Sequence, residues 1–404
     1  MSRFITTMDE LVQHPPEHLL LLYSGGVDGT YLLQLLRDRG VTVTALGVQI
    51  GAQEESTAAS HAARFGAEYR SVDATDEFFA DFAPAAIHAD AYYQGQFPVG
   101  STLTRPLMAL AAVRTARQLG CDAIGHTATY MQNSALRLSG SIAALDPGLD
   151  VVAPFLGSDV PRQRKHDSLR AAGISFSTGI HSIDASPWAR VIEAGSLESP
   201  ENTLDETVFI WTGGPGTGPV QPTELDLDFR EGLPVSLDGT PSDLGALVGA
   251  LNQLGGAHGI GRFSGLEDTA FGVKNHEIRE APAAAVITTA HRALGNAVLT
   301  SREHSVRAGL AREWTDTVVH GGWFGHLGQS LARCLADLDR PLNGTVRLRL
   351  HRGTVTVLRL DAPAGLYYTK LGQAFHDHMG DYAYTPWLNL ATLANRLRLD
   401  GAQR

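Results

Sequence analysis

Hydrophobic positions along the chain follow two rhythms, and the rhythm changes near Ser175. Before that point, short apolar runs alternate with amphipathic stretches. Leu19-Leu20-Leu21-Leu22-Tyr23 is a continuous apolar run, the pattern of a strand buried on both faces. Tyr31 to Leu36 opens an amphipathic helix. Val41 to Gly51 reads as a second strand, Ser56 to Phe65 as a helix and Ala67 to Val72 as a third strand. Pro106 to Leu119 reads as an alanine-rich helix with Pro106 in its first turn. Asp122 to His126 reads as a short strand that ends in another turn. This alternation predicts an α/β domain: a parallel sheet wrapped on both faces, with ligands at the carboxyl ends of its strands.

After Ser175 the period becomes two. Leu225 to Phe229, Val346 to Leu350 and Val355 to Leu360 alternate apolar and polar residues, as antiparallel strands with one wet face do. Ser242 to Leu254 and Thr289 to Leu299 read as helices packed on those strands. The glycine-rich run Gly213 to Pro219 reads as a connection. Trp387 to Leu399 is a terminal apolar helix, suited to a core or to an oligomer arm.

The stretch with chemistry in it follows the first apolar run: Ser24-Gly25-Gly26-Val27-Asp28-Gly29-Thr30. Strand, small-residue turn and helix together present bare backbone N–H groups and a helix N-terminus to an anion. Gly25, Gly26 and Gly29 remove Cβ atoms that would keep a phosphate from the main chain. Ser24 and Thr30 offer hydroxyls. A carboxylate beside a phosphate repels it unless a cation lies between, so Asp28 reads as a handle for Mg²⁺ on a nucleotide polyphosphate. The turn lacks the GK[ST] of a P-loop and the GxGxxG of a dinucleotide fingerprint.

Composition narrows the field. The 404 residues suffice for two or three domains with full cores. A formal charge of −11 argues against a nucleic-acid backbone as the main partner. Two cysteines, Cys121 and Cys334, leave no disulfide framework and fit a reducing, cytoplasmic setting. The first residues lack the apolar core of a signal peptide, and no apolar run reaches the length of a membrane span.

The tetrad SGG-x-D after an apolar strand resembles the PP-loop of ATP pyrophosphatases, which cleave ATP between the α and β phosphates. Beyond it, several blocks stand in order: YSGGVDG, FPVGSTLTRPL (Phe97 to Leu107), HSID (His181 to Asp184), LNQLGGAHGIGR (Leu251 to Arg262), FGVKNHEIREAP (Phe271 to Pro282), AHRAL (Ala290 to Leu294) and GGWF (Gly321 to Phe324). Nearly end to end, the chain resembles argininosuccinate synthase. The resemblance implies a PP-loop ATP-binding domain over 1–174, an α+β synthetase domain over 175–380, and a C-terminal helical arm over 381–404 that builds a homotetramer. It also implies a reaction. The ureido oxygen of citrulline attacks the α-phosphate of ATP, pyrophosphate leaves, and the amine of aspartate displaces AMP. A urea is a poor electrophile because its nitrogens donate into the carbonyl; adenylation makes its oxygen a leaving group.

Carried over residue by residue, the resemblance implies an ATP site of Leu22, Tyr23, Ser24, Gly25, Gly26, Val27, Asp28, Gly29 and Thr30. Val48 would lie near the adenine, with Gly125, His126 and Thr127 on the far side. Thr127 replaces a family glycine. Thr129 and Asn133 match residues that hold aspartate, but Ser134 replaces the aspartate that pairs with its ammonium, and Met131 replaces a lysine. A serine there forfeits a charge-assisted hydrogen bond worth roughly 1.5–3 kcal/mol. Two loop glycines have become Tyr130 and Gln132. In the citrulline pocket Thr102, Arg137, Ser182 and Glu267 match the family. Phe97 and Arg279 stand for tyrosines, and Val191 for a serine. Arg279 suits an extra anion in the pocket or a salt bridge to Glu277 or Glu280. Ser24, Asp28 and Arg137 are the residues expected at the chemistry. Three readings follow: an AMP-forming C–N ligase with altered amino-acid-like substrates, a true argininosuccinate synthase, or an inactive nucleotide-binding paralogue. A PP-loop tRNA thiolase would need positioned cysteines and a basic face, which the chain lacks.

Overall fold

The computed structural model describes residues 2–51, 57–130, 132–158, 160–176, 181–214, 218–367, 369, 377 and 385–393. Six strands form one parallel sheet in the order Phe4–Ile5, Asp150–Val152, Ala123–Gly125, His18–Leu22, Thr42–Gln49, Glu68–Asp73. The leucine run forms its centre because Leu19, Leu20 and Leu21 are each 0% exposed, sandwiched between two apolar clusters on opposite faces. From His18–Leu22 the chain winds outward through Thr42–Gln49 to Glu68–Asp73, then returns to the other side at Ala123–Gly125. The reversal leaves a crevice at the carboxyl ends of His18–Leu22 and Ala123–Gly125.

Two helices begin earlier than their hydrophobic pattern indicates. The first spans Val27–Arg37, with Gly26 as an extended N-cap, so Asp28, Gly29 and Thr30 are helical rather than part of the turn. Asp28 in the first turn complements the helix dipole. The second spans Ser101–Leu119, and Pro106 sits inside it rather than in its first turn. Pro106 forfeits one backbone bond, but Leu103 and Leu107, four apart, are both fully buried and hold the preceding turn in place.

The remainder is built on antiparallel sheets, as the period-two pattern predicts. Four strands run Arg262–Asp268, Lys274–Glu280, Arg190–Glu193, Ser182–Ala185. Five run Thr240–Pro241, Leu233–Leu237, Thr223–Arg230, Gly344–His351, Thr354–Asp361. Leu225, Leu227 and Phe229 on one side of Thr223–Arg230 enter the largest core cluster with the helices Leu244–Ala257, Pro282–Val298, Ser301–Val319 and His326–Asp339. Residues 385–393 are helical with Trp387, Leu388 and Leu390 exposed; the rest of that expected helix, together with Ser56, Met131 and 215–217, lies outside the described residues. No helix among the described residues is long and apolar enough to cross a membrane.

Candidate active site

A cavity of about 340 Å³ opens in the crevice of the parallel sheet. Its walls come from both halves of the chain. Leu22, Tyr23 and Ser24 end the central strand, Val48 and Ile50 end its neighbour, and Thr104, Arg105 and Met108 project from Ser101–Leu119. His126, Thr127, Gln132 and Ser134 come from the turn after Ala123–Gly125, and Ser182, Asp184 and Glu193 from the antiparallel pair Ser182–Ala185 and Arg190–Glu193.

The turn at Ser24 owes its shape to its glycines, though two of them face protein. Gly25 has φ +83°, and a Cβ there would meet Ala58 Cβ at 3.0 Å; a Cβ on Gly29 would meet the Tyr23 ring at 2.7 Å. Thr30 offers no hydroxyl to a ligand: it is fully buried, and its Oγ1 donates to the Gly26 carbonyl at 2.7 Å and bonds Tyr23 Oη at 2.7 Å. Ser24 is exposed in the cavity, and among the described residues no side chain caps Val27–Arg37, so its first N–H groups have no side-chain partner there. Asp28 stands in its first turn, outside the cavity lining. Lys165 Nζ donates to Asp28 Oδ1 at 2.7 Å while Oδ2 takes no bond from a described residue.

Across the crevice His126 is 1% exposed, its Nε2 is 2.8 Å from Ser139 Oγ and its Nδ1 has no described partner. Burial, aided by Arg105, pushes its imidazole down to about 4, so the ring is neutral at pH 7. Gly125 packs on Leu19 and Leu21 beneath it.

The positions that resemblance assigns to the amino-acid substrates divide sharply. Ser134 and Ser182 line the cavity. Thr129 does not, and Asn133 is spent on the loop beyond Arg262–Asp268: Nδ2 donates to the Asp268 carbonyl at 2.7 Å and Oδ1 accepts from Ala270 N at 3.1 Å. Phe97, Thr102, Arg137, Val191, Glu267 and Arg279 are all at most 4% exposed. Arg137 donates to the Val319 carbonyl at 2.9 Å, Ser101 Oγ at 2.7 Å and Glu267 at 2.5 Å. Arg279 pairs through Nε and Nη2 with Glu277, donates Nη1 to the Pro98 carbonyl at 2.8 Å, and lies 3.9 Å above the Phe97 ring. Of the two partners open to Arg279 from the sequence, Glu277 is the one it takes; Glu280 pairs with Arg190.

The cavity also contains side chains that the pattern alone does not single out. Arg105 and Asp184 pair at 3.0 Å on its wall. Glu193 accepts from Gln132 Nε2 at 2.6 Å and Asn275 Nδ2 at 2.9 Å. Arg105 and Asp184 fall within the sequence blocks FPVGSTLTRPL and HSID; Glu193 ends a strand with no motif around it.

The N-terminal HUP domain model of arginosuccinate synthase matches residues 18–175, and the model of its C-terminal domain matches residues 181–394. The argininosuccinate synthase of Methanopyrus kandleri is 35% identical over 364 residues, which are 87% of this chain and 91% of the relative. That of Pyrobaculum aerophilum is 34% identical over 362 residues, 87% and 90% of the two chains. That of Rubrobacter xylanophilus is 36% identical over 354 residues, 86% and 87%. With both halves matched in order and relatives of 34–36% identity covered almost end to end, the chain belongs to the argininosuccinate synthase family of ATP-dependent ligases that form a C–N bond.

Proposed function

We propose that this chain is an AMP-forming ligase that adenylates a carbonyl, ureido or carboxylate oxygen of a small amino-acid-like acceptor other than citrulline. An amine then displaces AMP. The observation that supports the altered acceptor is the closed state of the expected pocket. Of the seven positions there, all but Ser182 are buried, and the guanidinium and carboxylate groups of Arg137, Glu267 and Arg279 are already engaged, with Arg279 stacked on Phe97 and opposite Val191 across the ladder. An acceptor that fits must be handled in the remaining cavity, by Ser134, Ser182 and the Arg105–Asp184 pair.

Leu22 and Val48 offer apolar walls for a base, and Ser24 with the uncapped start of Val27–Arg37 offers hydrogen bonds to phosphates. An exposed carboxylate oxygen at that helix start fits a hard cation, so Asp28 would hold the Mg²⁺ that offsets polyphosphate charge. The chain's own work is to hold acceptor oxygen and α-phosphorus in line and exclude water. We further propose a homotetramer, assembled through the arm over 381–404, acting in the cytoplasm, with ATP binding in 1–174 and substrate residues mainly in 175–380.

Exchange of labelled pyrophosphate into ATP, screened over ureas and carboxylic acids with citrulline among them, tests the reading. Exchange with another acceptor and little with citrulline is the expected result. The second reading, a true argininosuccinate synthase, is favoured by the 34–36% identity to proteins of that name. Robust turnover of citrulline with aspartate establishes it in place of the first. Exchange with no acceptor at all leaves an inactive paralogue.

A further inference from the structure

The ligase reading leaves one chemical need unmet. An amine donor is an ammonium ion in water at neutral pH, and its nitrogen has no lone pair until a proton leaves. Ser134 cannot accept that proton as a carboxylate could. The imidazole of His126 is at the cavity wall, but Nε2 is engaged with Ser139 and Nδ1 is sealed from solvent.

Glu193 has the right surroundings. It ends the strand Arg190–Glu193 and lines the cavity beside Ser182, to which it is paired across the antiparallel ladder. Both carboxylate oxygens are held, one by Gln132 and one by Asn275. Both donors are neutral amides, and no arginine or lysine among the described residues forms an ion pair with it. Gln132 anchors it from the turn after Ala123–Gly125, and Asn275 from the strand Lys274–Glu280.

We propose that Glu193 is the general base that takes the ammonium proton of the amine donor, a role that rests on the ligase reading above. Burial raises the affinity of Glu193 for a proton, against the bond from Asn275, and the nearby Asp184 carboxylate acts in the same direction. The charged groups around it are Asp184 on Ser182–Ala185, Glu267 on Arg262–Asp268, Glu277 on Lys274–Glu280 and Arg105 on Ser101–Leu119. Arg105 is already paired with Asp184. The amine loses one proton to the Glu193 carboxylate, and its freed lone pair forms the C–N bond to the carbon that bears the adenylated oxygen. The C–O bond to AMP breaks, its electron pair leaves with AMP, and the adduct's surplus N–H proton passes to the leaving phosphate.

The test compares two rates in wild type and Glu193→Gln: pyrophosphate exchange, which needs no amine, and AMP release. AMP release is read with ammonium and the common amino acids as donors, and separately with hydroxylamine, which is largely unprotonated at neutral pH. The expected result is a loss of amine-dependent AMP release of about 100-fold relative to exchange, the usual scale for a general base. Hydroxylamine-dependent release falls far less, and the acid limb of the amine-dependent pH profile disappears. In Gln132→Leu, loss of a hydrogen bond to the charged form moves that limb to higher pH. Equal losses of exchange and AMP release in Glu193→Gln overturn the proposal, as does an unchanged pH profile. So does a wild-type enzyme that turns over hydroxylamine but no protonated amine. Absence of exchange with every acceptor removes the ligase reading itself, and is recognised because no amine is present in that assay.

Discussion

Lys165 Nζ lies 2.7 Å from Asp28 Oδ1 and 4.3 Å from the centre of the Phe155 ring, which ties the first turn of Val27–Arg37 to the helix Arg162–Ala171. The ammonium is nearly buried while the carboxylate is 44% exposed, so the pair has one fixed end and one open end. Asp28→Asn keeps an oxygen for Lys165 and removes the charge a cation needs. We expect pyrophosphate exchange to fall at least about 100-fold, with the thermal midpoint moved by no more than about 4 °C. Calorimetric titration with ATP, with and without Mg²⁺, separates lost cation binding from lost nucleotide binding. Unchanged exchange removes Asp28 from the site.

Arg279, Phe97 and Val191 form one contact set. The guanidinium stacks on the ring, and a Cβ built on Gly100 would fall within 3.6 Å of both Arg279 Nη1 and Val191 Cγ2. Side chains in one contact set do not respond independently. Phe97→Tyr, Val191→Ser and Arg279→Tyr should each lower stability alone, and the triple variant should cost less than their sum. The same triple variant should raise citrulline-dependent exchange, by about tenfold if one charge-assisted bond is regained. Thermal melts of the singles and triple, with exchange assays on each, check both statements. Strict additivity with no gain for citrulline counts against the closed-pocket argument.

Burial pushes the Glu277 carboxyl up to about 8; Arg279 opposes this, and the neighbouring Glu267 and Glu193 add to it. Burial acts on Glu267 too, but Arg137 and Arg279 with a hydrogen bond from Glu277 hold it below the usual carboxylate range. The two carboxyls therefore keep one proton between them. The folded Glu277 binds a proton more tightly than an unfolded glutamate at 4.5. Its contribution to stability is complete below the unfolded value and is lost as pH rises through the folded one, between about 4.5 and 8. Glu277→Gln should flatten that decline. Urea unfolding at several pH values across the window measures the slope, and an unchanged slope assigns the decline to other groups.

Much of the frame was legible because period and burial agree. Leu225, Leu227 and Phe229 face the core where their alternation puts them, and the leucine run at 19–22 is the centre of its sheet. Helix starts were less legible. Val27 and Ser101 begin helices in stretches where glycine and proline suggest turns, and tertiary burial of Leu103 and Leu107 decides the second case. The lining of the candidate cavity was legible where contiguous residues supply it, at Leu22, Tyr23 and Ser24. It was not legible where distant ones meet: Gln132 and Glu193 are 61 residues apart, and no spacing rule connects them. Arg279 showed its charge in the sequence, but its choice of Glu277 over Glu280 depends on how the side chains of Lys274–Glu280 are placed in the fold.

Asp339 ends the helix His326–Asp339 with no exposure, and three other helices converge on its carboxylate. His88 Nδ1 and His291 Nε2 lie 2.9 and 3.0 Å from Oδ2, and Arg307 Nε lies 2.7 Å from Oδ1. Two histidines and a carboxylate could in geometry hold a metal ion. The guanidinium already on that carboxylate supplies the positive charge instead, so added zinc should leave the melting temperature unchanged. Burial resists ionisation of Asp339, but bonds from His291, His88 and Arg307 outweigh it and hold the carboxyl well below its ordinary value of 3.8. A depressed carboxyl contributes stability above its unfolded value and loses it as pH falls through the folded one. Asp339→Ala leaves Arg307 buried without its partner and should cost about 3–5 kcal/mol at neutral pH. The cost should shrink below about pH 4, where the unfolded carboxyl takes up its proton. Calorimetric melts of wild type and variant at neutral and acid pH measure both values; a cost under about 1 kcal/mol would show that the helices are held together by apolar packing alone.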